Sequence, residues 1–232
     1  MFTGFTDETI QFFLDLKFHN NAEFFHNNHE RYLETVQSPF YEFINDLSAD
    51  MLGIDPSMEV RPYKCLSHIH RDTRFSRDKS PYRDHLWLLF RHAGEPRDKS
   101  LFYFFELGPD RLDWGMGFWG ENREVMAIFR KHIQANPAGI QALIDGIDMR
   151  GRRLMLGGSV HKRIHVPPEI PDRLRRWYCA KEMYIGKADP DYRSVFSDRI
   201  LKTVRRDFLC LAPLYRLLRG FCDETGLPET NE

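Results

Sequence analysis

The chain has 232 residues, 42% of them hydrophobic, which is long enough to bury a substantial core in one domain. Its formal net charge is -1, so the sequence excludes the global positive field of a typical nucleic-acid-binding protein and leaves only a local patch for a polyanion. Four cysteines stand far apart without a CxxC pair, a pattern that predicts reduced thiols in a cytoplasmic protein and excludes a zinc ribbon: Cys65, Cys179, Cys210 and Cys222.

The apolar segments predict a protein that does not enter a membrane. The N-terminus has no basic region and no cleavage site, and it soon carries Asp7 and Glu8, so it does not resemble a signal peptide. The densest apolar runs, residues 86–90 and 208–218, are shorter than a bilayer span. We therefore expect a soluble, cytoplasmic protein with no membrane partner.

Three helices are predicted in the first quarter of the chain. Thr6 is placed to cap a first helix, whose apolar residues recur at helical spacing. Asn20 or Asn21 then caps a second helix. Residues 38–39, a Ser-Pro pair, begin a third helix, which Gly53 ends.

The middle of the chain consists of short runs rich in aromatic and β-branched residues, separated by turns. This pattern predicts strands. A Gly-Pro-Asp turn joins the last two runs, which predicts an antiparallel hairpin. The predicted strands are residues 59–73, 85–92, 100–108 and 111–120.

Helices return after the strands. Residues 121–122 open one helix and residues 136–137, an Asn-Pro pair, end it; a shorter helix follows, and a long C-terminal helix is predicted to break at Pro213. The fold class is therefore α+β, with an antiparallel sheet in the middle of the chain flanked by N-terminal helices and a long C-terminal helix. We expect one domain over residues 1–222 and a disordered tail over residues 223–232.

Two sequence patterns are compatible with cofactor or metal binding, but other interpretations of both are favoured. Residues 115–120 spell GxGxxG, but the preceding strand belongs to a hairpin, so its glycines are interpreted as places where a helix or loop packs closely on the sheet. Pairs of histidines, such as His68 and His70, have metal-compatible spacing without a third ligand nearby in the sequence. The sequence therefore predicts no cofactor and no metal site.

The charged stretch "RDTRFSRDKSPYRDH", residues 71–85, is the first candidate site. If it continues a strand, Phe75 anchors one face in the core, and the Ser-Pro turn fixes where the next element starts. Four donors could then converge on a phosphate or carboxylate, with two carboxylates to orient them. The donors are Arg71, Arg74, Lys79 and Tyr82, and the carboxylates are Asp72 and Asp78. The alternative is an ion-pair network that holds the local structure together.

A second basic group follows the Gly157-Gly158 turn, in a segment predicted to be loop and edge strand. The turn places Lys162 and Arg163 beside backbone amides that could point at an anion. Together with Lys181, they could close the pocket of the first cluster from the other side.

The charged stretch resembles the motif RxxRDxRFxx[DN]KxxY of a family of bacterial conserved-hypothetical proteins, domain of unknown function 2461. Residues 71–82 match it, except that His68 stands where the motif begins with arginine, so a titratable group replaces a fixed charge. "FLDLKFHNNAEFFHNNHERY", "GMGFWGENREVMAIFRKHI" and "CAKEMYIGK" resemble other segments of the same family. The resemblance implies membership and implies no activity.

Two hypotheses of function follow. In the first, the protein binds an anionic small molecule, or a phosphorylated or nucleic-acid end, and is an enzyme or the remnant of one. Asp72 or Asp78 would then be the general base and Tyr82 the proton donor. In the second, it is a non-catalytic binding or scaffold protein whose charged stretch is structural. The sequence predicts no substrate, reaction or oligomeric state.

Overall fold

A computed structural model describes residues 1–74, 76–96 and 99–226. It confirms the α+β class with an antiparallel sheet in the middle of the chain. The helices are α1 (Asp7–Phe18), α2 (Ala22–Asn27), α3 (His29–Tyr32), α4 (Ser38–Ile54), α5 (Pro62–Cys65), α6 (Arg123–Ala135), α7 (Pro137–Gly146), α8 (Asp172–Tyr178) and α9 (Arg199–Thr225). The strands are β1 (Leu86–Arg91), β2 (Leu101–Gly108), β3 (Arg111–Phe118), β4 (Leu154–Gly157) and β5 (Tyr184–Lys187).

The predicted helix caps are confirmed by hydrogen bonds. The Thr6 hydroxyl accepts from the backbone N–H of Thr9, and the Thr9 hydroxyl accepts from the backbone N–H of Thr6. The side-chain oxygen of Asn21 accepts from the backbone N–H of Phe24 at the start of α2. Asn122 caps α6 in the same way, at the predicted position. Asn136, predicted only to end that helix, also caps α7 by accepting from the backbone N–H of Gly139.

The predicted second and third helices are less simple than the sequence pattern indicates. Residues 22–54 form α2, α3, a π-helical turn at Leu33–Gln37 and then α4. Because the π-helical turn leads directly into Ser38, α4 continues an existing helical path instead of starting at a separate cap. π-Helical turns are rare and occur often at functional sites.

The strands form one sheet in the order β1-β2-β3-β5-β4, with β5 antiparallel to both of its neighbours. β4 is an edge strand, as the sequence predicts for this segment. Gly115 pairs with Gly186 across β3 and β5, and a Cβ built on Gly115 would lie 1.7 Å from the carbonyl oxygen of Ile185. Gly115 and Gly117 of the GxGxxG pattern therefore admit the close approach of strand β5, where the sequence interpretation expected a helix or loop.

The first predicted strand, residues 59–73, is wrong for most of its length. Pro62 begins the short helix α5 there, since proline suits the first turn of a helix and supplies no N–H to a sheet. The part after α5 makes only isolated bridges, Leu66 with Leu88 and His70 with Tyr82.

The chain divides into two compact units. The first contains Met1–Phe90, Phe104–Trp114 and Pro190–Arg206, and its buried aromatic cluster joins the N-terminal segment to α4 and β2. Ring centroids in this cluster lie 5.0 Å apart for Phe2 and Phe43 and 4.7 Å apart for Phe43 and Phe105. Edge and tilted contacts of this kind stabilise a core beyond the area they bury.

The second unit contains Arg91–Tyr103, Gly115–Asp189 and, among the described residues, 207–226. Its core includes the buried ring of Tyr103, stacked on Tyr215 at 5.2 Å. The predicted break of the C-terminal helix at Pro213 is wrong, because α9 runs through that residue. Buried side chains on both sides of Pro213, among them Leu211 and Leu214, hold the helical path by packing.

None of the described helices is both long and apolar enough to cross a bilayer. Helix α9 continues to Thr225, and residues 227–232 of the predicted tail lie outside the described residues. The boundary of a single domain at residue 222 stays a prediction.

Candidate functional site

The first candidate site lies on two extended segments that are joined by isolated backbone hydrogen bonds. The backbone N–H of Arg71 donates to Pro81 at 2.8 Å, and that of Arg83 donates to Ile69 at 2.9 Å. Between these pairings the chain forms a loop that carries the predicted charged residues. Phe75, the predicted core anchor of this loop, lies outside the described residues.

Within the loop the predicted cations are bonded to groups of the same loop. Arg71 forms an ion pair with Asp78, and Arg74 binds both carboxylate oxygens of Asp72 at 2.9 and 2.7 Å. The Lys79 ammonium donates to the backbone carbonyl of Thr73 at 2.9 Å. An anionic ligand would have to compete with these carboxylates for the guanidinium groups.

The two predicted general bases are held in their ionised form. Hydrogen bonds from Arg74 lower the pKa of Asp72 to about 2. Hydrogen bonds from Ser80, and then from Arg71, hold the pKa of Asp78 well below its usual range. Because a general base is most efficient when its pKa lies near the working pH, neither carboxylate is tuned for proton abstraction at neutral pH. Their catalytic roles stay predictions.

Tyr82, the predicted proton donor, is a buried contact between this loop and the N-terminal helices. Its ring lies 4.3 Å from that of Phe25 and 5.0 Å from that of His70. The Asn20 amide bonds both the N–H and the carbonyl of Tyr82, each at 2.9 Å. The structure thus brings together two segments that the sequence marks separately, residues 20–32 and residues 68–82.

Next to this contact lies a cavity of about 360 Å³, which we call the tyrosine cavity. Its wall includes aromatic rings of α2, α3, α4 and α5: Phe25, Tyr32, Tyr41 and Tyr63. Three imidazoles also line it, His29, His68 and His70, and the π-helical turn contributes Leu33 and Gln37. Sequence reasoning missed this cavity; the available signal was the His68-x-His70 pair, which was weighed only as a metal site.

The second candidate site is a larger, open cavity of about 780 Å³, which we call the basic groove. Two short backbone segments form it, with the N–H of Lys181 bonded to Ser159 at 2.9 Å and the N–H of His161 bonded to Cys179 at 2.7 Å. The predicted residues Lys162 and Arg163 line the groove together with Lys181. That these three residues close the pocket of the Arg71–Tyr82 cluster from the other side stays a prediction.

Positive charge surrounds His161 in the basic groove. Burial lowers the pKa of His161, and the neighbouring charges of Arg130 and Lys181 lower it further. The Lys181 ammonium lies 3.5 Å from a carboxylate oxygen of Glu121, which offsets part of this charge. The predicted anion-binding amides are partly engaged, since the N–H of Ser159 already donates to Glu182 at 3.0 Å.

No metal-binding group of three or more His, Cys, Asp or Glu side chains occurs among residues 1–74, 76–96 and 99–226. The histidine pairs therefore have other surroundings: His68 and His70 line the tyrosine cavity and His161 lines the basic groove.

The comparison with known families gives one match. The model of a family described as conserved hypothetical protein (DUF2461) matches residues 8–217. This range includes both candidate sites and both segments that meet at Tyr82. A comparison with curated proteins finds no match.

Proposed function

This chain belongs to the conserved hypothetical family DUF2461, whose description names no activity, and from its own site geometry we propose that it binds a phosphate- or carboxylate-bearing ligand in the basic groove. Lys162, Arg163 and Lys181 would bind the anion, with His161 beside them. The observation that carries this proposal is the convergence of these three cationic residues on one concave surface.

The charges of the groove support an anion over a neutral ligand. Three of its lining residues carry fixed positive charges, and none of the described lining residues is acidic. A concave surface lined by one sign of charge concentrates ligands of the opposite sign. The open shape of the groove suits a small anion or the phosphorylated end of a larger molecule.

The Arg71–Tyr82 cluster, which the sequence favours as the anion site, has a second candidate role. Arg71 and Arg74 each have a carboxylate partner within the loop, and this pairing supports the alternative of a structural ion-pair network. Arg74 and Asp72 are largely exposed, with side-chain exposures of 78% and 53%, so their pair contributes little to stability. We assign the cluster to loop structure and propose no reaction for Asp72, Asp78 or Tyr82.

We also retain a cytoplasmic location as part of the proposal. The cysteines Cys65, Cys179, Cys210 and Cys222 are free thiols in the described part of the chain, and free thiols suit a reducing compartment.

Calorimetric titration and thermal shift with inorganic phosphate, pyrophosphate and citrate test the proposal. At a ligand concentration of 100 times Kd, mass action stabilises the folded protein by about 2.7 kcal/mol. We expect a rise in Tm with at least one of these anions, and its loss in the double variant Lys162→Met, Arg163→Met.

Arg173→Met is the matched control, because Arg173 is an exposed arginine of the same unit that lies outside the groove. This control should keep the response of the wild type. An equal response in both variants, or no response to any of the three anions, would contradict the proposal. As a second readout, the bound anion should raise the pKa of His161, which NMR can follow.

A further inference from the structure

We propose that the tyrosine cavity is a binding site for an uncharged, planar heteroaromatic ring of nucleobase size. The cavity belongs to the first unit, whereas the basic groove belongs to the second, and its chemistry differs from that of the groove. The inference therefore goes beyond the proposed anion binding and does not depend on it.

The floor and the rim of the cavity have different exposures. Phe25, Tyr32 and Ile69 are buried, with exposures of 7%, 5% and 4%, and form a preorganised apolar floor. Tyr63 at the rim is 57% exposed, although it is a large aromatic side chain. A rigid floor below exposed rings can enclose a flat ligand by stacking and by contact with ring edges.

The lining contains no residue with a permanent charge. None of the described residues that line the cavity is Asp, Glu, Lys or Arg. Tyr32 and Tyr41 also stay neutral, because burial raises the pKa of Tyr32 to about 12 and raises the pKa of Tyr41 above its ordinary value. A charged ligand would lose hydration here and find no carboxylate, ammonium or guanidinium among the lining residues, and Arg61, which lies over the Tyr63 ring, is already paired with Glu59. The cavity therefore favours an uncharged ligand, which the three lining imidazoles can hydrogen-bond.

Polar groups in the wall can bind the edge of such a ring. The Gln37 side chain lines the cavity and, as a primary amide, has two N–H donors and a carbonyl acceptor. The buried Ser67 hydroxyl accepts from the backbone N–H of Trp87 at 3.1 Å, and its own proton can donate elsewhere. Hydrogen-bond donors and acceptors in one wall of the cavity match the donors and acceptors that alternate along the edge of a heteroaromatic ring.

The π-helical turn positions the polar part of this wall. Leu33 and Gln37 are its first and last residues, and both line the cavity. An ordinary α-helical turn would rotate these side chains relative to α4 because it has a different hydrogen-bond period. The irregular turn is thus placed where it directs Gln37 into the cavity.

The size of the cavity limits the ligand. Its volume of about 360 Å³ lies near the lower end of the range of about 300–1,000 Å³ for small-molecule sites. One or two fused rings with a small substituent fit this space. A sugar would also contact aromatic walls, and for that reason it is the competing ligand in the experiment.

Methyl-labelled NMR of the full chain tests the inference with adenine, uracil and nicotinamide as planar probes and with ribose and cyclohexanecarboxamide as non-planar probes. We expect the planar probes to shift the methyl signals of Leu33, Leu66 and Ile69, which line the cavity. The signals of Val160 and Ile164, in the basic groove, should stay in place. Tyr63→Leu should weaken binding about tenfold, which is within the range for one aromatic stacking contact.

Tyr184→Leu is the matched control, since Tyr184 is another partly exposed tyrosine and lies in the other unit. It should bind like the wild type. The inference is overturned if ribose or cyclohexanecarboxamide shifts the cavity methyls as strongly as the planar probes, or if the planar probes shift Val160 and Ile164 instead. It is also overturned if no probe shifts the cavity methyls. Pyrophosphate in the same assay reports on Val160 and Ile164, so failure of one proposal is distinguishable from failure of the other.

Discussion

The side-chain amide of Asn20 is hydrogen-bonded to both backbone polar groups of Tyr82, although the two residues lie 62 positions apart in the chain. The amide imitates a paired strand: its N–H donates to the Tyr82 carbonyl and its oxygen accepts from the Tyr82 N–H. This contact holds the loop of residues 71–81 against the N-terminal helices, and the Phe25 ring completes it by stacking on Tyr82.

Asn20→Ala should destabilise the protein by about 1–3 kcal/mol, because it leaves a partly buried N–H and carbonyl without their partner. For a chain of this size, each kcal/mol lowers Tm by about 2–4 °C, which calorimetry measures easily. Asn27→Ala, at an exposed position in α2, should change Tm little. Equal losses for the two variants would show that the Asn20 contact contributes nothing specific.

The pair of Asp72 and Arg74 should appear in the acid dependence of stability. Because hydrogen bonds from Arg74 lower the pKa of Asp72 to about 2 from an ordinary 3.8, the folded protein holds this carboxylate ionised more firmly than the unfolded chain does. The small stability that this exposed pair contributes is fully present above about pH 4 and is lost as the pH falls toward 2.

Arg74→Gln should return the pKa of Asp72 toward its ordinary value and flatten the change in urea midpoint between pH 4 and pH 2. NMR titration of the Asp72 carboxyl carbon measures the pKa directly. Since Asp72 is exposed, 0.5 M NaCl should weaken the effect in the wild type. A wild-type pKa near 3.8 would contradict the pair as described.

Removing one partner of a buried ion pair in the second unit should destabilise the protein more than removing one partner of the exposed pair of Asp72 and Arg74. Asp207 is fully buried, and its carboxylate lies 2.9 Å from the Lys187 ammonium and 3.5 Å from the Arg152 guanidinium. Lys187→Met should destabilise by about 3–5 kcal/mol, because it removes a partner from a charge that stays buried. Urea denaturation gives the free energy of unfolding.

The control for this variant is Lys202→Met, which removes an exposed ion pair with Asp198. It should cost less than about 1 kcal/mol, since surface pairs are well solvated. The double variant Lys187→Met, Asp207→Leu should be more stable than Lys187→Met alone, because the buried carboxylate is removed together with its ammonium partner. The cation that then loses its carboxylate is Arg152, whose side chain is 26% exposed and therefore partly solvated. A double variant as unstable as the sum of its parts would refute this account.

Two glycines should respond in opposite directions to alanine. In Gly115→Ala the new methyl group would lie 1.7 Å from the Ile185 carbonyl oxygen, so β3 and β5 must separate and the protein should lose at least about 1–3 kcal/mol. In Gly53→Ala the methyl group meets nothing within 4 Å on helix α4, and the variant should gain up to about 1 kcal/mol. Thermal unfolding of both variants measures the sign of each change in stability. If Gly115→Ala caused no loss of stability, the close approach of β5 to Gly115 would be contradicted.

Much of the fold was predictable from local patterns. Thr6, Asn21 and Asn122 cap the predicted helices because each supplies a side-chain acceptor at the point where the apolar helical period begins. The predicted hairpin of β2 and β3 is likewise a local event with a Gly-Pro-Asp turn. The predicted strand over residues 59–73 was wrong because the prediction relied on the aromatic and β-branched residues of this segment and gave too little weight to Pro62, which starts a helix.

The candidate sites were only partly predictable. Lys162 and Arg163 follow a Gly-Gly turn, and that local signal led to the basic groove. The tyrosine cavity was missed because its wall comes from α2, α3, the π-helical turn, α4 and the segment after α5. A single residue in this set, such as Tyr41 or Gln37, carries no signal by itself.

The sequence by itself determined the α+β class, the starts of α1, α2 and α6, the edge position of β4 and the family, because these depend on periodicity, caps and motif residues that are close together in the chain. Only the tertiary structure decided that Arg71 and Arg74 bind Asp78 and Asp72, that Asn20 holds Tyr82, and that a neutral aromatic cavity adjoins that contact. The physical reason is that hydrogen-bond partners and cavity walls are set by which segments pack together. A charged side chain carries the same sequence signal whether it faces a ligand or a carboxylate of its own loop.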